Sequence, residues 1–294
     1  MGQFFNNVKR ITNSFRFRML VSKTLNPYFW AVILGRRLCD KNLIVVVGSA
    51  HRTGSTWLYQ MLNELGGFKY ELEYERGYYS GFPQECCGIH TLRLDNINTI
   101  EHLRRLKGRR LFKAHYAPKF INNFPDNLKI ITMHRDCRDV LVSAAFFLSN
   151  LSEQNGGFSQ SIRQQSIQQK IKFLINSKYH IQRMEEWFYL PNTYKIYYEE
   201  LKTNTIKQMK LLCEYLNLKV NDERIKKITD RHSFQRRSRR MSGEENIKSF
   251  LRKGISGDWK NYFDEECIRA FKTSQNGRWN KLLVEMGYES TLDW

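Results

Sequence analysis

Two segments of the chain have the composition of phosphate-binding loops. In residues 43–62, an apolar run is followed by the small and polar stretch SAHRTGST and then by a helical pattern. Residues 128–147 repeat this arrangement, with the charged turn HRDCRD between the apolar run and the helical pattern. A helix N-terminus leaves N–H groups unpaired and carries partial positive charge, so a tight loop leading into it can hold a phosphate. The two loops therefore indicate a nucleotide with two separated phosphate groups.

The first loop resembles a Walker A motif but departs from it in its charged residue. Against the pattern GxxxxGK[ST], Ser49 stands at the first glycine, Ser55 stands at the lysine, and the basic residue has moved back to Arg52. A nucleoside triphosphatase needs that lysine against its phosphates, so an ordinary ATPase or kinase is disfavoured. The alternative is a strand–turn–helix unit in which Gly54 only permits the turn.

Four segments together resemble the sulfotransferase family that uses 3′-phosphoadenosine 5′-phosphosulfate (PAPS), of the cytosolic and bacterial small-molecule type. SAHRTGSTW is similar to the family's 5′-phosphosulfate loop, and HRDCRDVLVS (134–143) is similar to its 3′-phosphate loop. KIYYEEL (195–201) resembles the family's YEDL strand end, and FLRKGISGDWKNYF (250–263) resembles the RKGxxGDWKNxF signature. The resemblance covers most of the chain after residue 40. It implies PAPS as the donor, 3′,5′-ADP as the product and no metal.

The resemblance also implies which residues contact the nucleotide. One group is expected to hold the 5′-phosphosulfate, a second the 3′-phosphate, and a third the adenine, while His232 occupies the position of a family threonine. In that order, the groups are Arg52, Thr53, Gly54, Ser55 and Thr56; Arg135, Ser143, Arg252, Lys253 and Gly254; and Trp57, Tyr198, Ser233 and Phe234.

The segment RRLFKAHYAP (109–118) supplies a candidate base. Lys113 and His115 are two residues apart at a predicted strand end, so their side chains point to the same side. They match the family's KxH motif, which implies that His115 is the general base; the alternative is a histidine that bonds a neighbouring carbonyl. Arg52 replaces a family lysine and is expected to stabilise charge, since a guanidinium does not donate a proton. Lys113 is expected to share this task, whereas His51 and His180 receive no catalytic role.

The elements that position these residues alternate along the chain. This alternation predicts one α/β domain with a P-loop-like central parallel sheet flanked by helices on both faces. The stretch from Arg231 to Gly257 is polar and basic and is predicted to be a long functional loop. Strands are expected near 43–48, 110–115, 128–133 and 193–198, and helices at 55–65, 138–150, 161–189, 199–216, 221–230 and 264–275.

Composition limits the partners of the chain. The formal net charge is +19, which suits nucleic acid, a membrane surface or an anionic small ligand. The two phosphate loops favour the small ligand, and no nucleic-acid-binding motif is present. The six cysteines form no CxxC pair and favour free thiols in the cytoplasm. No spanning segment is expected, and the basic residues 1–40 are predicted to pack on the sulfotransferase domain (41–294), with an anionic membrane as the alternative.

The acceptor is predicted to be a small molecule bearing a hydroxyl or an amine. In KYELEYERGYYSGF (69–82), Glu71, Glu73 and Glu75 alternate, so on a strand they would share one face and could bind a cationic natural product. The alternative for these carboxylates is a solvent-facing edge strand. Other functions left open are a lipid or glycolipid sulfotransferase at a membrane surface and a P-loop-type nucleotide kinase. The oligomeric state is not predicted.

Overall fold

A five-stranded parallel sheet forms the centre of the molecule. The computed structural model describes residues 42–68, 91–95, 97–119 and 124–294. The strands lie in the order β2-β3-β1-β4-β5, and every neighbouring pair is parallel. This confirms the predicted sheet. The strands are β1 (Ile44–Gly48), β2 (Thr91–Arg93), β3 (Arg110–Tyr116), β4 (Leu128–His134) and β5 (Tyr194–Tyr197).

The central strand β1 is apolar because both of its faces are covered. Val45 and Val47 contribute to one buried cluster, whereas Ile44 and Val46 contribute to another on the opposite face. This follows from the two-residue period of a strand, which sends successive side chains to opposite sides. The sheet is therefore buried from both sides, as parallel sheets generally are.

Helices cover both faces of the sheet and form a further helical layer. The first helix, α1, packs with α8 and α9 on the face of Val45, while α2 and Trp187 of α6 cover the opposite face. A third buried cluster joins α3, α5, α6, α11 and α12. The helices are α1 (Ser55–Gly66), α2 (Ile97–Arg105), α3 (Cys137–Asn150), α4 (Gln160–Arg163), α5 (Ile167–Ser177), α6 (Tyr179–Phe188), α7 (Tyr198–Thr203), α8 (Thr205–Tyr215), α9 (Asp222–Arg231), α10 (Phe234–Ser238), α11 (Glu265–Thr273) and α12 (Arg278–Glu285), with 3₁₀ turns at Glu153–Asn155 and Asp258–Asn261.

Two predicted helices are broken in the structure. The helix expected at 161–189 is three helices, because Ser166 starts a new helix with a capping box to Gln169 and Lys178 takes a left-handed conformation at φ 63°. The helix expected at 199–216 is interrupted at Asn204, whose φ is −130°.

Other differences concern elements that the sequence pattern did not reveal. The predicted loop at 231–257 contains the short helix α10, which begins when the Ser233 hydroxyl accepts the N–H of Arg236. Strand β2 and helices α2 and α12 were not predicted. Among the described residues, no helix is both long enough and apolar enough to cross a membrane. The predictions for residues 1–40 and for Glu71, Glu73 and Glu75 lie outside the described residues.

Candidate active site

The turn after β1 forms the first anion-binding element. Gly54 is the N-cap of α1 and takes φ 94°, and no side chain caps this helix end. A Cβ at position 54 would lie 2.7 Å from the ring of Tyr198, so only glycine fits both the backbone and the space. Thr53 is fully buried, and its hydroxyl donates to the Ala50 carbonyl at 3.1 Å. A hydrogen bond within the loop therefore stabilises it, and the uncapped N–H groups at the start of α1 can bind an anion.

The side chain of Arg52 extends from this turn and contacts residues near the second loop. Its Nε donates to the Ser143 hydroxyl at 3.1 Å, and its Nη2 donates to the Phe250 carbonyl at 3.1 Å. The guanidinium lies between the rings of Phe147 and Phe250, with its centre 4.3 and 4.5 Å from their centroids. Arg52 therefore links the residues predicted for the two phosphates.

Arg135 follows β4 and joins the same structure. Its Nη1 donates to the Arg52 carbonyl at 3.3 Å, and its Nη2 donates to the Ile255 carbonyl at 3.1 Å. The guanidinium also stacks on Tyr198 at 4.3 Å. The turns that contain Gly54 and Arg135 consequently lie on the same edge of the sheet, at the carboxyl ends of adjacent strands, where α/β proteins bind ligands.

The segment 250–255 closes over these turns. Arg252 pairs with Glu245 and Asp258, and Lys253 Nζ contacts Asp258 at 2.7 Å. Gly254 takes φ 66°, and the ring of Phe234 lies 2.4 Å from where its Cβ would be. The two cationic side chains thus have carboxylate partners in the described part of the chain, while the glycine brings the backbone against an aromatic ring.

Aromatic residues lie between the two loops. Trp57 and Tyr198 meet edge to face, with ring centroids 6.2 Å apart. The predicted adenine contact Ser233 serves as the N-cap of α10, and the neighbouring His232 bonds Glu64 through Nε2 at 2.9 Å. Aromatic faces of this kind suit the stacking of a nucleobase.

Lys113 and His115 lie side by side at the end of β3, next to the first turn. Lys113 Nζ donates to the Thr56 hydroxyl at 2.9 Å. His115 Nδ1 lies 2.9 Å from the Ser49 carbonyl, which can only accept, so Nδ1 carries the proton and Nε2 carries the lone pair. Burial, followed by the neighbouring His51 and Lys113, lowers the pKa of His115 well below 6.5. The imidazole is therefore neutral at physiological pH and able to accept a proton.

A single cavity of about 1030 Å³ joins these parts. Of the fourteen distinct residues predicted for donor contacts, only Thr53 is not in its lining, and Lys113 and His115 line it as well. Its size is at the upper end of the range for small-molecule sites. Two cationic turns with aromatic rings between them fit a nucleotide that carries two separated phosphate groups.

One wall of the cavity is apolar. It is built from the end of α3 and from the helices that follow it, and no Asp or Glu of the described chain lines the cavity. Among the described residues, no group of three or more His, Cys, Asp or Glu is placed to hold a metal ion. The apolar wall consists of Phe147, Leu148, Leu151, Phe158, Ile162, Phe173 and Leu174.

His51 and His180, neither of which was expected to act in catalysis, also line the cavity. The ring of His51 lies over His115 with 3.7 Å between centroids, and it stacks on Tyr179 at 6.0 Å. His180 follows Tyr179 at the start of α6. His51 belongs to the first loop, so the sequence alone indicated that it lies near the site. His180 reaches the site only through the packing of α6.

Comparisons with known proteins agree with this geometry. The family model described as "Sulfotransferase domain" matches residues 42–278. Sulfotransferase 1E1 of Mus musculus is 26% identical over 245 residues, covering 77% of this chain and 80% of its own length. Sulfotransferase 1E1 of Homo sapiens is 27% identical over 210 residues, covering 67% and 68%.

Two solved structures share the fold. One is mouse sulfotransferase SULT7A1 complexed with PAP, with a TM-score of 0.53, 19% identity, and coverage of 89% of this chain and 91% of its own. The other is retinol dehydratase in complex with androsterone and inactive cofactor PAP, with a TM-score of 0.52, 19% identity, and coverage of 88% and 85%.

Proposed function

We propose that this chain, which belongs to the sulfotransferase family, moves the sulfuryl group of PAPS to a hydroxyl or amine of a small molecule, with His115 as the general base. The observation that carries the proposal is the single cavity that contains both phosphate turns and the Lys113–His115 pair. Mouse SULT7A1, which shares the fold, forms a complex with PAP, the desulfated form of the donor. This supports the same nucleotide here.

The residues divide the reaction between them. A bond forms between the acceptor atom and sulfur, and the bond between sulfur and the bridging phosphate oxygen breaks. His115 Nε2 takes the proton that the acceptor loses, while Arg52 and Lys113 stabilise the negative charge left on the phosphate. Arg135 and Ser143 hold the 3′-phosphate, and the scheme uses no metal.

The donor can be tested by ligand-induced stabilisation. A ligand at one hundred times its Kd adds about 2.7 kcal/mol of stability, so PAPS and 3′,5′-ADP should raise Tm by several degrees and ATP by less. The exchange Arg135→Ala should abolish the preference for 3′,5′-ADP over 5′-AMP. Arg269→Ala, at an exposed position on α11, is the matched control and should keep that preference. Stabilisation by ATP alone would favour the nucleotide kinase instead.

The apolar wall favours an acceptor with an apolar body, including the lipid or glycolipid alternative. A cationic acceptor rests on Glu71, Glu73 and Glu75, which lie outside the described residues, and it stays a prediction. A screen with labelled PAPS should compare apolar alcohols with amine-bearing compounds of the same size. Preferential labelling of the amines, lost when the three glutamates become glutamine, would support the cationic acceptor. The cytoplasmic location likewise stays a prediction.

A further inference from the structure

His180 is a buried polar residue of the cavity wall without an assigned task. It is 6% exposed and lines the cavity. Its Nδ1 is buried and has no hydrogen-bond partner among the residues that the structure describes. Nδ1 has almost no accessible surface, so a molecule in the cavity does not reach it. The other ring nitrogen, Nε2, is not among the buried polar atoms and makes no hydrogen bond to a described residue, so it is the atom that can contact a bound group.

The position of His180 places it beside the reacting groups. Its ring lies against Tyr179 at 5.3 Å, Tyr179 stacks on His51, and His51 covers the base His115. These four rings form one contiguous cluster on the side of the cavity that contains the base. A group that contacts His180 is thus close to the gap between donor and acceptor.

The start of α6 offers backbone N–H groups to this wall. No side chain caps the helix, because Lys178 precedes it in a left-handed conformation. Ser177, Tyr179 and His180 all line the cavity, so the first turn of α6 borders it. The first N–H groups of a helix have no partner within the helix, so they can donate hydrogen bonds to the oxygen atoms of a bound group.

The two cations that are proposed to act on the phosphate also make contacts within the protein. Lys113 Nζ donates to Thr56, and Arg52 donates to Ser143 and the Phe250 carbonyl. The sulfuryl group presents three oxygens, which require several donors at once.

We propose that His180, together with the N-terminus of α6, hydrogen-bonds the sulfuryl group of the donor and so distinguishes PAPS from 3′,5′-ADP. The inference rests on the proposed donor. Burial, and then the charge of Arg52, lowers the pKa of His180 to about 4. The ring therefore binds as a neutral N–H donor at neutral pH and leaves proton removal to His115.

The test compares two nucleotides that differ only in the sulfuryl group. Binding of PAPS and 3′,5′-ADP is measured by calorimetry, without acceptor, for the wild type, His180→Phe, His180→Asn and His180→Gln. A hydrogen bond to a charged group suggests that His180→Phe weakens PAPS binding about tenfold or more. Binding of 3′,5′-ADP should change by less than about twofold on the same reasoning, which also shows that the variant is folded. An amide in Asn or Gln can replace one ring nitrogen, so one of these two variants should recover most of the loss.

The control is His102→Phe on α2, outside the cavity, which should leave both affinities unchanged. Equal weakening of both nucleotides by His180→Phe, or of neither, would overturn the assignment of His180 to the sulfuryl group. Failure of the wild type to bind either nucleotide would instead overturn the proposed donor.

Discussion

Acid should unfold this protein through its buried histidines. Burial lowers the pKa of His51 and of His134 to about 3, and that of His180 to about 4, with the nearby charges of Lys113, Lys195 and Arg52 respectively acting in the same direction. In the unfolded chain each imidazole titrates near ~6.5. Between these values the unfolded state binds more protons than the folded state, so stability falls as the pH is lowered.

The size of the effect follows from the proton balance. At pH 7 an unfolded histidine is about a quarter protonated, and at pH 5 it is almost fully protonated, while the folded ones stay neutral. Moving from pH 7 to pH 5 therefore removes about 2 kcal/mol of stability for each histidine, or about 6 kcal/mol for the three. Such a loss is comparable with the whole stability of many domains, which is about 5–15 kcal/mol.

Single variants isolate the effect of each histidine. Burial raises the pKa of two carboxyl groups, Asp136 and Glu199, and these act in the opposite direction. Comparing each variant with the wild type cancels the contribution of these carboxyl groups. We expect His134→Gln and His180→Gln each to lose about 2 kcal/mol less unfolding free energy than the wild type between pH 7 and pH 5, as measured by urea unfolding at constant ionic strength. If both variants lose as much stability as the wild type, the histidines are not held neutral and the reasoning is refuted.

Three further predictions concern the site itself. His115→Ala should bind 3′,5′-ADP normally but turn over about 10²–10⁴-fold more slowly, and wild-type turnover would exclude the base. Gly54→Ala should weaken 3′,5′-ADP binding and lower the free energy of unfolding in urea by about 1–3 kcal/mol, because the new Cβ meets Tyr198. The control is Gly243→Ala, at φ 104° with open space around it, which should keep the nucleotide affinity. Asp258→Asn should lower the free energy of unfolding by up to about 3–5 kcal/mol and speed proteolysis within residues 239–257. The reason is that Arg252 and Lys253 both pair with this carboxylate, which is 2% exposed. Unchanged proteolysis would show that the ion pairs do not hold the segment in place.

Strands β1 and β4 could be predicted from sequence because each is largely apolar and leads into a turn with a recognisable motif. Strand β2 was missed because it has three residues, too few for a period to show. The break at Ser166 had a local signal, the capping box with Gln169, but the break at Lys178 had neither Gly nor Pro to mark it. Local patterns thus gave the order of elements better than their ends.

The placement of the motif residues along one cavity could be predicted from sequence, whereas the contacts made by packing could not. Arg52 contacts Phe147 and Phe250, which are far from it in sequence, and no sequence motif predicts such contacts. The same holds for His180, which depends on how α6 packs. The acidic partners of Arg252 and Lys253 were also unforeseen, although Asp258 belongs to the same motif.

His115 is held through both its ring and its main chain. Its Nδ1 bonds the Ser49 carbonyl, and its own carbonyl accepts the indole N–H of the fully buried Trp187 at 3.4 Å. Trp187 in turn fills the space beside Gly48, where a Cβ would lie 2.3 Å from its ring. A ring fastened in this way does not swing toward different substrates. If His115 is the base, as we propose, an acceptor is selected by whether its nucleophilic atom reaches the fixed Nε2. Efforts to broaden the range of substrates should then reshape the apolar wall and leave positions 48 and 187 as they are.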